Sequence, residues 1–206
     1  MADVRRKDYQ HTGEAAILAL LDGQAHGYLA FVRPDGSPGV VALNFARVGE
    51  IIYFHGALEG EKAESIRREP RVTFMVTEAF SLLPSYFTNP TYACPATQYY
   101  KAVVVHGEAR FVSDPAEKAR GLEALMQKLQ PEGGYRPIDP ADPLYTKSLS
   151  TTGVIALPMT TVTAKFKFGQ NLPKRKRARV AKQLTERGRE RDLETVAAIR
   201  EVCPFE

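Results

Sequence analysis

A chain of 206 residues, 44% hydrophobic and 25% charged, is long enough for one domain with a sizeable core and has the composition of a globular protein. No apolar run approaches the roughly 20 residues of a membrane span, which excludes a membrane-crossing helix. Cys94 and Cys203 lie far apart in no metal-ligand spacing, and the net charge of +4 is modest and unevenly spread.

Residues 1–12 are polar and read as an arm. The opening MADVRRKDYQ lacks the apolar stretch of a secretory signal, and with so few cysteines the chain is expected to work in a reducing cytoplasm. Residues 13–21 predict a short helix, with Ala16, Ile17, Leu20 and Leu21 on one stripe. Residues 26–33 and 38–46 are rich in strand formers, and Arg33-Pro-Asp-Gly-Ser-Pro38 between them has the chemistry of a turn, so they predict a hairpin. Residues 50–56 are expected to add a third strand, with Ile51, Tyr53 and His55 on one face and Ile52 and Phe54 on the other.

Gly56 and Gly60 then free the backbone, and Lys62 arrives at the start of a helix over 61–69 that stops before Pro70. A strand, a glycine turn, a lysine and a helix N-terminus together suit a phosphate. The competing reading is a plain strand-to-helix connection with a solvated lysine, since this is no Walker loop. A further strand covers 71–77, and 78–98, with three prolines and several aromatics, reads as a long ordered loop. Residues 99–112 predict a strand bent at Gly107. Asp114 and Pro115 open a helix reaching about Leu129, with Asp114 as N-cap. Residues 130–147 read as a proline-rich connection, 153–157 and 160–168 as strands, and 171–187 and 192–202 as helices, the first capped by Asn171. Hairpins without βαβ alternation predict a mainly β fold: a small antiparallel barrel with peripheral helices. The expected division is a barrel domain over 1–168 and a helical extension over 169–206.

Three segments carry a family resemblance: Val40-Val-Ala-Leu-Asn-Phe45, Ile52-Tyr-Phe-His-Gly-Ala-Leu-Glu-Gly-Glu-Lys62 and Arg71-Val-Thr-Phe74. Arg5-Arg-Lys-Asp8, Tyr100-Lys-Ala-Val-Val-Val-His-Gly-Glu-Ala-Arg-Phe-Val112 and Asp114-Pro-Ala-Glu-Lys118 extend it. Together they resemble the nitroimidazole-resistance branch of the pyridoxamine 5′-phosphate oxidase superfamily. Ala164-Lys-Phe-Lys-Phe-Gly-Gln-Asn-Leu-Pro173 is similar to a segment of PaiB-type flavin-binding proteins. The resemblance implies an FMN-binding split barrel, a homodimer, and FMN at the dimer interface, with haem as the alternative cofactor of some members. It implies that Val41, Ala42, Leu43 and Asn44 line the isoalloxazine from one strand, that Tyr53, Phe54, His55 and Gly56 do so from the next, and that Lys62 holds the phosphate. The chain departs from the relatives at Glu61, where arginine usually separates the glycine and the lysine.

His55 is the candidate catalytic residue, because histidine titrates nearest neutrality and the resemblance sets it beside flavin or substrate. The competing reading is a half-buried histidine bonded to a backbone carbonyl. His26 and His106 read as structural, and the four histidines show no zinc spacing. A nucleophile elbow and a G-x-G-x-x-G turn are both missing, so the chemistry would be the flavin's. Tyr86, Phe87, Tyr92, Tyr99 and Tyr100 can wall a planar substrate or fill core and dimer interface. The basic run Lys174-Arg-Lys-Arg177, with Arg179 and Lys182, opposes its own helix dipole, which points to an anionic partner such as nucleic acid or to a solvated face. The expected activity is flavin-dependent reduction of a small, nitroaromatic-type substrate, with an FMN-binding transcriptional regulator and a non-catalytic haem- or flavin-binding protein as alternatives.

Overall fold

The hairpin forms around the turn its residues dictate. In the computed structural model, which describes residues 4–11 and 13–205, Arg33 N donates to Ser37 O at 2.8 Å and Gly36 takes a left-handed φ of 86°. The strands on either side are β2 (His26–Val32) and β3 (Pro38–Asn44), preceded by β1 (Gln10–His11) and α1 (Glu14–Gly23). After them come β4 (Ala46–Val48), β5 (Ile51–Gly56), α2 (Glu61–Arg68), β6 (Arg71–Leu83), β7 (Thr97–Glu108) and β8 (Arg110–Phe111). The chain ends with α3 (Pro115–Leu129), α4 (Pro143–Thr151), β9 (Gly153–Pro158), β10 (Thr161–Lys167), α5 (Lys174–Arg187) and α6 (Asp192–Val202).

One six-stranded sheet has the order β1-β10-β7-β6-β2-β3 and one four-stranded sheet the order β4-β5-β9-β8. The β2–β3, β2–β6, β4–β5, β5–β9 and β8–β9 pairings are antiparallel. The sheets do not close into a continuous barrel, the open form of a split barrel. The chain divides into two compact units, one of residues up to Leu20, Thr77–Val103 and those from Thr163 on, the other of Leu21–Val76 and Val104–Val162.

In the second unit β5 is central to its sheet, with Ile52, Tyr53 and Phe54 fully buried. Helix α3 begins as its residues predict: the Asp114 carboxylate accepts from Glu117 N at 2.9 Å. It lies on β5, where Gly121 leaves room for a ring: a Cβ there would come within 2.8 Å of Tyr53 Cδ1. On the hairpin, alternation puts Leu29 and Phe31 inside, while Tyr28 and Val40 are 40% and 61% exposed. Tyr28 is in register with both Ala42 and Met75, and Ala30 with Val40 and Thr73, so this outward face is largely apolar. In the first unit α5 and α6 bury Val180, Leu184, Val196 and Ile199.

Six local expectations are corrected. The arm expected over 1–12 is described at 4–11, where Gln10 and His11 pair with Lys165 and Ala164 instead of hanging free. The stretch 38–46 is two strands, because buried Phe45 turns the chain so that Ala46 joins β5 in the other sheet. That transfer also takes β5 away from the hairpin, whose second neighbour is β6. Strand β6 continues to Leu83: its alternation is masked in sequence by Ser81, which is buried because Asp192 accepts its hydroxyl hydrogen bond at 2.6 Å. Residues 130–147 contain the start of α4, capped by Asp142, whose carboxylate accepts from Leu144 N at 2.9 Å. At α5 the expected Asn171 cap is replaced by Pro173 with no side-chain cap, since Asn171 Oδ1 is occupied by the Tyr9 hydroxyl at 2.6 Å.

Candidate functional site

The turn from β5 into α2 is shaped by its glycines. Gly60 takes a φ of 96°, a conformation costly for other residues, and sits at the N-cap of α2. Its carbonyl accepts the first helical bond, from Glu64 N at 3.0 Å. The N–H groups of Glu61, Lys62 and Ala63 therefore have no acceptor within the helix, and the helix dipole adds partial positive charge there.

Lys62 folds back over the end of β5. Its ammonium lies 6.0 Å from the centroid of Phe54, and a Cβ on Gly56 would be only 2.8 Å from Nζ. The group is half-buried, and burial pushes its pKa below the ordinary lysine value. Glu61, the departure from the family pattern, does not neutralise it: the Glu61 carboxylate is bound by Arg33 Nε from the hairpin turn. Arg33 is a site residue that sequence reasoning missed, because its proximity to Glu61 depends on how the hairpin folds against α2. The result is a half-buried cation, three N–H groups with no acceptor among the helix's own carbonyls and a glycine surface, with the adjacent acid Glu61 already matched.

The other named residues divide by strand alternation. Ala42 and Asn44 face outward and are exposed, whereas Val41 and Leu43 turn to the opposite, half-buried side. The four therefore do not present their side chains to one surface. Asn44 Nδ2 donates to Ala25 O at 2.9 Å. Tyr53 and Phe54 are enclosed: the Tyr53 hydroxyl donates to Glu117 Oε1 at 2.9 Å, and Phe54 stacks on Phe74 at 6.4 Å. Arg110 also binds Glu117, at 2.7 and 3.1 Å, and holds that carboxyl below its ordinary range. Next along β5, His55 is exposed, in register with Val154, and adjoins Gly56. The structure thus brings Gly56 and Lys62 together on the Phe54 side of β5, puts His55 on the opposite face by strand alternation, and leaves Tyr53 and Phe54 only main-chain groups to offer.

A groove of 770 Å³ in the same unit borders Thr73, His106, Arg110 and Pro158. Thr73 Oγ1 and His106 Nδ1 are 3.0 Å apart, so His106 is partnered. Of the expected aromatic wall, Tyr86 and Tyr92 are exposed, while Phe87 and Tyr99 are buried. Among the described residues no three His, Cys, Asp or Glu side chains gather to hold a metal ion, and no helix is long and apolar enough to cross a membrane.

Comparison with known proteins shows the family and the fold. No curated protein matches the chain. The flavocytochrome Anf3 of Azotobacter vinelandii superposes with a TM-score of 0.67 at 21% identity, over 80% of this chain and 72% of that one. The FAD and heme binding protein of Mycobacterium smegmatis gives 0.66 at 21% identity, over 78% and 74%. A Bacteroides thetaiotaomicron chain, described as a candidate 5-nitroimidazole antibiotic resistance protein, gives 0.61 at 20% identity, over 76% and 85%. These likenesses show the fold. The sequence pattern described as pyridoxamine 5′-phosphate oxidase matches residues 13–166, which takes in the hairpin, the β5–α2 turn and β9, and the chain belongs to that family.

Proposed function

We propose that the protein is an FMN-binding flavoprotein, active as a homodimer, that reduces a small nitroaromatic-type substrate. The observation that carries the reading is the Lys62 ammonium, half-buried over Gly56 beside the free N–H groups of α2, with Glu61 paired to Arg33. This is the donor set a phosphate monoester requires. Lys62 and the α2 N-terminus would hold the phosphate, and Gly56 keeps the approach open. Asn44 and the main chain of β3 and β5 supply polar groups for the ring. Bound flavin supplies the electron transfer itself. His55, next to Gly56 in the chain and exposed, is the titratable side chain of this turn suited to hydrogen-bond or protonate a substrate. Membership of the family and the flavin-binding relatives support the cofactor class.

Lys62→Ala should weaken FMN binding by about 1.5–3 kcal/mol, about ten- to hundredfold in Kd. Riboflavin, which lacks the phosphate, should bind both proteins alike. His55→Ala should keep FMN affinity and lose turnover. Quenching of flavin fluorescence on titration reads the first two, and steady-state reduction of a nitroaromatic the third. Equal losses for FMN and riboflavin in folded Lys62→Ala would remove Lys62 from the phosphate site.

A second reading, a flavin-binding regulator that contacts nucleic acid, is favoured by one observation: Arg175, Lys176 and Arg179 are exposed on α5.

A further inference from the structure

A recessed cavity of 220 Å³ lies in the unit that contains β1, α5 and α6, and none of the flavin-site residues lines it. The volume equals about seven waters' share of bulk liquid, and falls below the ~300–1,000 Å³ of sites for drug-sized ligands, so the space suits a compact molecule. Its walls are about equally polar and apolar, and the apolar side includes Leu83, Pro84 and the buried rings of Phe87 and Tyr99.

Of the side chains that line this cavity, Lys167 alone carries a full charge. Lys167, at the end of β10, directs a half-buried ammonium to the hydroxyl of Thr97. Among the described residues it forms no ion pair with a carboxylate, and its charged neighbours are Lys165 and Arg6. Burial and those two cations all lower its pKa, so the protonated form is held at a cost that an anion would relieve. Tyr9 and Asn171 at the rim already satisfy each other at 2.6 Å. One cation with the Thr97 hydroxyl beside it, and an apolar side formed by Leu83, Pro84 and Phe87, match a single negative charge on an apolar body. A dianion such as inorganic phosphate would leave charge unmatched against hydrocarbon.

We propose that this cavity is a second ligand site, which binds a compact aromatic carboxylate through Lys167 and Thr97, with the ring against Leu83, Pro84 and Phe87. The probe is benzoate, titrated calorimetrically into FMN-saturated protein, with benzyl alcohol as the uncharged counterpart. Benzoate should bind saturably at one site per chain, and benzyl alcohol at least about tenfold more weakly. Lys167→Gln should lose about tenfold or more in benzoate affinity, and isosteric Thr97→Val a smaller factor, with flavin content unchanged in both. Lys62→Ala should bind benzoate as the native protein does. Absence of saturable heat up to about 10 mM benzoate, or equal binding of benzyl alcohol, would overturn the proposal on the native protein alone. Undiminished affinity in Lys167→Gln, or a matching loss in Lys62→Ala, would overturn it as well, the latter by assigning benzoate to the flavin site.

Discussion

Asp192 shows how much a single buried carboxylate can depend on its partners. It accepts from Arg187 at 2.6 and 2.8 Å, from Arg189 N at 2.9 Å and from the Ser81 hydroxyl at 2.6 Å, and it is 1% exposed. The Arg187 guanidinium is the main cause that holds its pKa at about 2. An aspartate in an unfolded chain titrates near 3.9. The unfolded state therefore binds the proton first, and the stabilisation is complete above about pH 4 and lost as pH falls through about 2. Asp192→Asn should flatten the pH dependence of urea unfolding across that window and cost about 3–5 kcal/mol at neutral pH, because Arg187 is left unmatched. An unchanged slope between pH 4 and 2, relative to the native protein, would reassign the acid sensitivity to other carboxylates. Nothing in the sequence around Asp192 announces this role, since Ser81 is 111 residues away. Lys62 is the opposite case: strand, glycine, lysine and helix follow one another within a few residues, so its place is readable locally.

At the scale of elements, α5 carries its charge unevenly. Arg177 is folded inward, donating to Leu172 O at 2.5 Å and Pro204 O at 3.2 Å, and so serves to close the ends of the two C-terminal helices. Arg175, Lys176 and Arg179 remain exposed. If the regulator reading holds, those three meet phosphates, and replacing them with Gln should reduce the slope of log affinity against log salt by about 2.7 for duplex DNA. Fluorescence anisotropy at low salt measures this, and native protein that fails to bind there would leave the reading without support. The sequence pattern identifies the basic run but cannot separate Arg177 from its neighbours, because one of its acceptors, Pro204 O, lies beyond the end of the next helix. The hairpin turn and the Asp114 cap are readable for the converse reason: each is completed by atoms within a few residues. Strand β6 is misread beyond Thr77 because a polar residue inside a strand makes sense only beside the helix that satisfies it.

For the whole molecule, the outward face of β2, β3 and β6 bears Tyr28, Val32, Val40 and Met75, 37–61% exposed and in neighbouring register. Contiguous apolar surface of this kind is costly to leave in water. The homodimer proposed above would cover it, and an obligate interface of about 2,000 Å² or more is expected. Light scattering at micromolar concentration should give twice the mass of a 22.8 kDa chain, and Val40→Asp should return the single-chain mass and release FMN with it. Native protein that scatters as a single chain would count against both the dimer and a flavin site shared between subunits.

Local patterning alone was enough to place the hairpin, the β5–Gly–Lys62–α2 turn, α3 with its cap, and the resemblance that leads to the family. Each rests on interactions that begin and end within a turn or a strand's alternation. The fate of Phe45, the sheet that β5 joins, the partner of Glu61 and the enclosure of Tyr53 needed the folded chain. Tyr53 meets Glu117 across 64 residues, and β3 gives way to β4 at Phe45, which packs edge-on to Phe74 at 4.9 Å. Such choices depend on which distant surfaces bury one another, and hydrophobic burial has no direction that a short window of sequence can record.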